Sequence, residues 1–150
     1  GVVTILVSVR ELKATALVLA LAKAAATNAV TRFVFTAGEV TAYKDPHERY
    51  TSRQRFLLTV FPPLLRLTPI SMTDMLDAAE LVKKQPGWDW TIVRAPTLKN
   101  MAATGYRLCE LDEITGKHKL SRADYAACML DSLGNTGQHR RMLSVAPAAA

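Results

Sequence analysis

Cysteine is nearly absent from this chain. Its two copies, Cys109 and Cys128, stand far apart, with no CxxC pair and no neighbouring histidine. That excludes a disulfide framework and a zinc site of the usual spacing, and it fits a reducing compartment such as the cytoplasm or an organellar matrix. The three histidines have no metal-ligand spacing, and no Ser-His-Asp or Cys-His arrangement can be drawn. Long apolar runs are missing too. The longest, Ala14 to Ala22, stops at Lys23, well short of the ~20 residues that a membrane-spanning helix needs. No secretory n-region and h-region pair opens the chain. Glycine is thin, with seven residues scattered through 150.

What is present suits an ordinary globular domain. Hydrophobic residues make up 49% of the chain and charged residues 21%, enough to bury a core in one domain over residues 1–150. The net charge of +6 invites a nucleic-acid reading. The basic residues are dispersed, however, and dense only at Arg49, Arg53 and Arg55 and at His139-Arg140-Arg141. With no RNP-like aromatic motif and no basic helix face, a solvated basic surface is expected and nucleic acid is not.

Patterning along the chain alternates between strand and helix. Val2 to Val7 and Arg32 to Thr36 are short β-branched or aromatic runs of the kind buried on both faces of a parallel sheet. Between them, Leu12 to Thr27 is built of strong helix formers, and Asn28 suits a left-handed helix end. Gly38 to Ser52 reads as a polar loop. The next segment is helical as far as Phe61, where Pro62-Pro63 is expected to break it. Ser71 with Asp74 reads as a helix cap, followed by an apolar stripe at Met75, Leu76, Ala79 and Val82 and a stop at Pro86-Gly87. Trp90 to Val93 is the third strand. The chain is then less regular until Leu120. Ser121 with Asp124 caps a last helix, Tyr125 to Leu133, and Met142 to Val145 is the final strand. Trp88 and Trp90 are expected to pack. The fold expected is α/β, a partial Rossmann-like parallel sheet with flanking helices.

Three stretches, "VTRFVFTAG" (Val30 to Gly38), "DAAELVKKQPGWDWTIVRAPTL" (Asp77 to Leu98) and "LSRADYAACMLDSL" (Leu120 to Leu133), carry a resemblance. Together they resemble the later two-thirds of an atypical short-chain dehydrogenase/reductase, of the NAD(P)H-binding, NmrA-like group that includes biliverdin and flavin reductases. The resemblance covers most of the chain. It implies a Rossmann fold and an NAD or NADP cofactor. Two features depart from the family. No G-x-x-G-x-x-G turn is present, and "GVVTILVSVREL" aligns with the family's fourth strand. Since the chain starts at Gly1 rather than Met, an upstream segment is expected to be missing. The Tyr-x-x-x-Lys dyad is also lacking: its places hold Met72 and Leu76, while Tyr43 and Tyr50 are followed four residues on by His47 and Gln54. Loss of the dyad argues against alcohol oxidation more than against reduction of a flavin-like acceptor, where placement dominates.

In such sheets ligands sit outside the carboxyl ends of the strands. That rule selects Val7-Ser8, Thr36-Ala37-Gly38 and Ala95-Pro96-Thr97; with Arg94 beside them, Ser8, Thr36, Ala37, Gly38, Arg94, Ala95, Pro96 and Thr97 are the cofactor-binding candidates. The Arg-Ala-Pro-Thr exit lies where the family positions the nicotinamide, although Pro96 also serves simply to end a strand. Thr36 matches a family hydroxyl that holds substrate or the nicotinamide amide, or else makes a strand-end hydrogen bond. Arg94 is suited to a phosphate contact or to a surface ion pair. Tyr43, Arg53 and Arg55 lie in a segment suited to covering the site; Ser121, Arg122 and Asp124 are a helix cap. No catalytic residue is assigned.

The function expected is that of an NAD(P)H-binding, short-chain-dehydrogenase-like protein, a reductase of a flavin, quinone or similar small acceptor. The alternative is a catalytically inactive Rossmann remnant, a pseudoenzyme serving as a structural subunit. A weaker third reading, an RNA-contacting accessory protein, rests on charge alone. Either way Val2 to Val7 forms a bare sheet edge, so a protein partner, a second copy or an upstream segment is expected to cover it.

Overall fold

The computed structural model describes residues 2–5, 14–38, 49–65, 72–114 and 117–148. In chain order the elements are β1 (Val2–Ile5), α1 (Ala14–Asn28), β2 (Arg32–Gly38), α2 (Ser52–Leu65), α3 (Met72–Lys84), β3 (Asp89–Ala95), β4 (Thr97–Lys99), β5 (Tyr106–Cys109), β6 (Lys119–Ser121), α4 (Arg122–Gly134) and β7 (Arg141–Pro147). The main sheet runs β1-β2-β3-β7-β5. Its first four strands are parallel, and β5 pairs antiparallel with β7. A separate two-stranded parallel ribbon joins β4 to β6. This is the α/β, Rossmann-like architecture expected, with a parallel sheet flanked by helices.

Strand alternation sends successive side chains to opposite faces. On one face Phe33, Phe35, Ala37, Trp90 and Ile92 pack against α1 and α3. The spacing Met75, Ala78, Ala79, Val82 supplies the buried stripe of α3. Alanines along α1 allow close approach to α3, and good helix propensity keeps that segment regular. On the other face Val34 and Val93 pack against Tyr125, Cys128 and Met129 of α4. Trp88 stacks on Phe33 at 3.8 Å between ring centres, so both tryptophans pack, as expected. Beneath the sheet, at the strands' amino ends, Asp89 ties together Arg32 at 3.4 Å and His139 at 3.0 Å.

Several boundaries differ from the sequence reading. Asn28 is not the left-handed residue: Ala29 is, at φ 52°, while the Asn28 amide donates to the Ala24 carbonyl at 2.8 Å. α2 does not break at Pro62-Pro63 but runs to Leu65. The two prolines fall in its last turn, so their missing amides remove only bonds at the fraying end. Ser71 lies outside the described residues, so of that cap only the Asp74 side is described. The Asp74 carboxylate accepts from the backbone amides of Ala14 and Thr15 at the start of α1. The region read as irregular holds β4, β5 and β6. These strands have three or four residues each, too short for a period-2 pattern to register. Leu6, Val7, most of the Gly38–Ser52 loop, Tyr43 and His47 lie outside the described residues.

Candidate functional site

Register places the candidate residues side by side. Thr36, Ala37 and Gly38 of β2 stand opposite Val93, Arg94 and Ala95 of β3, and Arg94 stands opposite Ser144 of β7. The carboxyl ends of the central strands are therefore floored by Ala37, Gly38 and Ala95, all small residues. Pro96, which is buried, has no amide to continue the ladder, so β3 ends there. One residue later Thr97, exposed, opens the β4–β6 ribbon. Ser8 lies outside the described residues.

The candidates divide between the two faces. Thr36 points to the α4 side, where its hydroxyl is hydrogen-bonded to that of Tyr125. Tyr125 in turn donates to the Val93 carbonyl at 2.9 Å. Burial pushes the Tyr125 phenol well above its ordinary range, with the Thr36 bond opposing, so the phenol stays protonated and acts here as a hydrogen-bond donor. Thr36 thus makes the strand-end hydrogen bond. Arg94 is not at the surface. It is 1% exposed and turns to the α1/α3 side, where its guanidinium contacts the Met142 sulfur.

The Ser121–Asp124 cap forms as expected. Ser121 Oγ accepts from the Asp124 amide at 2.9 Å and donates to its carboxylate at 2.8 Å. That carboxylate also accepts from the amides of Thr104 and Gly105, each at 3.0 Å. Led by the Thr104 bond, these contacts hold the Asp124 carboxyl below the usual carboxylate range. Arg122, exposed, donates to Asn100 at 2.9 Å. Burial pushes the Cys109 thiol up to about 11 and the Cys128 thiol up to about 12, so neither is a thiolate nucleophile. Among the described residues no group of His, Cys, Asp and Glu suits a metal ion. None of their helices is long and apolar enough to cross a membrane. Arg53 and Arg55 are exposed on α2.

Tyr125 is the residue that sequence reasoning missed. Its partner Thr36 lies 89 positions away, beyond any local pattern. The available signal was its place directly after the cap residue Asp124, on the helix face that must meet the sheet.

Sheet order, crossover helices and a small-residue floor at the carboxyl ends define an α/β nucleotide-binding domain of the Rossmann type. The family model described as NAD(P)H-binding matches residues 2–136, and the chain belongs to that NAD(P)H-binding family. No curated protein matches it. Among solved structures the chain is similar to a candidate NADH-flavin reductase from Streptococcus pneumoniae, with a TM-score of 0.68 and 18% identity over 97% of this chain and 71% of that one. It is similar to a Rossmann-fold NAD(P)-binding family protein from Shigella flexneri, with a TM-score of 0.65 and 16% identity over 99% of this chain and 61% of that one. A short-chain dehydrogenase/reductase from Veillonella parvula, in complex with NADP, gives a TM-score of 0.56 and 18% identity over 88% and 58%. At these identities the likeness is one of fold. The chain spans 58% and 61% of the length of the last two, and 71% of the first.

Ala37, Gly38 and Ala95 end the paired strands with small residues, and Ala37 is itself buried in the cluster with α1 and α3. None of the seven glycines forms a G-x-x-G-x-x-G turn for the pyrophosphate.

Proposed function

We propose that this chain carries the nicotinamide and substrate side of an NAD(P)H-dependent reductase acting on a flavin, a quinone or a similar small acceptor. Family membership supports NAD(P)H as the cofactor. The observation that carries the reading is the in-register meeting of Ala37-Gly38 with Arg94-Ala95 just before Pro96. When bound, NAD(P)H supplies a hydride. The chain's own part is placement: a small-residue floor for the ring, a buried Pro96 that turns the backbone aside, and Thr97 at the rim. Thr36, through Tyr125, ties the end of β2 to α4. With no Tyr-x-x-x-Lys dyad and both thiols neutral, orientation is what the site offers, which suits acceptors that need little acid-base help.

The test is consumption of NADPH or NADH by the purified chain with FMN or a benzoquinone as acceptor. Turnover that Gly38→Val reduces at least about tenfold, by filling the floor, supports the reading. Turnover at the level of cofactor and acceptor alone sinks it.

A second reading is favoured by the lack of any glycine-rich turn in this sequence: an inactive structural subunit whose β1 edge pairs with a partner chain, a second copy or an upstream segment. Under it, no acceptor is reduced, yet the chain co-purifies as a defined larger species.

A further inference from the structure

The β4–β6 ribbon has two unlike faces. Leu98 and Leu120 are register partners and both join the cluster of Val34, Val93 and Tyr125. Alternation then turns Thr97, Lys99 and Lys119 to the opposite side, and all three are exposed. Thr97 and Lys119 are direct partners across the ribbon, with Lys99 two residues along the same face. Lys117, also exposed, precedes Lys119 on the adjoining segment.

No described carboxylate answers these charges. Glu110 is engaged by Arg141 and Glu113 by Arg107. Asp124 is buried and committed to Ser121, Thr104 and Gly105. Two ammonium groups on the same face as one hydroxyl, with no ion pair among the described residues, repel one another until an anion joins them. The site also has a definite place. Thr97 lies two residues beyond Ala95, a span of at most ~7 Å of chain, so a ligand anchored on the ribbon reaches the strand ends.

We infer that the outer face of the ribbon, Thr97, Lys99 and Lys119, binds the anionic end of a small acidic substrate, a carboxylate or a phosphate. Its reducible part then lies over Gly38 and Ala95. This placement rests on reading those strand ends as the nicotinamide floor; the anion site itself does not. Lysine suits the role because its ammonium is a mobile point charge that follows an anion without demanding a fixed geometry.

The probe is inorganic phosphate, titrated into the full chain at constant ionic strength against chloride, with amide resonances followed by NMR. Saturable shifts at Thr97, Lys99 and Lys119 are expected. In Lys99→Gln/Lys119→Gln the phosphate dissociation constant rises roughly tenfold, while NADPH affinity is unchanged. Lys99→Arg/Lys119→Arg keeps both charges and is expected to hold the wild-type value, which separates loss of charge from loss of fold. A parallel succinate titration separates the two anions, and the tighter one names the substrate's end group.

Absent ribbon shifts, or equal phosphate affinity in the Gln variant, overturn the inference. So does a matching loss of NADPH affinity in that variant, because the lysines would then serve the cofactor. A single-stranded RNA that displaces phosphate with a steep salt dependence overturns it in favour of nucleic acid. Phosphate binding at the ribbon without any NADPH binding leaves the anion site standing and sinks the nicotinamide floor instead.

Discussion

Tyr125 reaches from α4 to the sheet and engages two groups at once, the Thr36 hydroxyl and the Val93 carbonyl. Tyr125→Phe leaves both of these buried groups short of a partner and is expected to cost about 1–3 kcal/mol in urea unfolding. Thr36→Val removes only the outer member of the chain, because Tyr125 keeps its bond to Val93. It is expected to cost less, about 1 kcal/mol. Asp124 gives a pH signature. Its folded carboxyl lies below the usual range, so its contribution is complete above the ordinary unfolded value of ~3.9. It is lost as pH falls through the lowered folded value. Asp124→Asn should therefore flatten the acid limb of stability against pH, and an unchanged acid limb would contradict the assignment. Single residues were legible where chemistry is local. Ser121 and Asp124 declared a cap because three residues suffice to form one. Arg94 did not disclose its burial, since a strand end tells nothing of what Met142 brings to the same face.

At the scale of elements, α1 depends on a residue from another helix. The Asp74 carboxylate, in the first turn of α3, accepts from the first amides of α1, and the Thr15 hydroxyl donates to the Asp74 carbonyl at 3.2 Å. Asp74→Ala is expected to cost about 1 kcal/mol and to speed hydrogen exchange in the first turn of α1. If only α3 amides respond, the cross-helix cap is wrong. Gly87, at φ 76°, turns the chain from α3 into β3, and nothing lies near its missing Cβ. Gly87→Ala therefore meets backbone strain alone, about 1–2 kcal/mol. Long elements were legible because their periods repeat. Phe33, Phe35 and Ala37 against Val34 and Thr36 read as a two-sided strand, and Met75, Ala79 and Val82 as a helix stripe. The ribbon was not legible: "TLK" and "KLS" offer one apolar position each, and only their pairing makes Leu98 and Leu120 a common face.

For the whole molecule, the sheet order sets both the site and the liability. β1 stands at one end of the sheet among the described residues; we propose that a further strand pairs with it, because a parallel edge left unpaired recruits other strands. Sedimentation should therefore report a species larger than the 16.4 kDa monomer, or a firm complex with the chain that covers β1. A soluble monomer with that edge bare would count against this. The carboxyl ends were legible because the ligand rule for such sheets needs only strand ends, and "TAG" and "RAPT" mark two of them. The split of Thr36 and Arg94 to opposite faces was not, since it depends on which helices cover which side. The most direct test of the account is a calorimetric titration of the chain with NADPH and NADH, repeated with Gly38→Val. Micromolar binding of either cofactor to the wild type, weakened in the variant, is the result predicted. No heat up to millimolar cofactor, or binding indifferent to Gly38→Val, would contradict it.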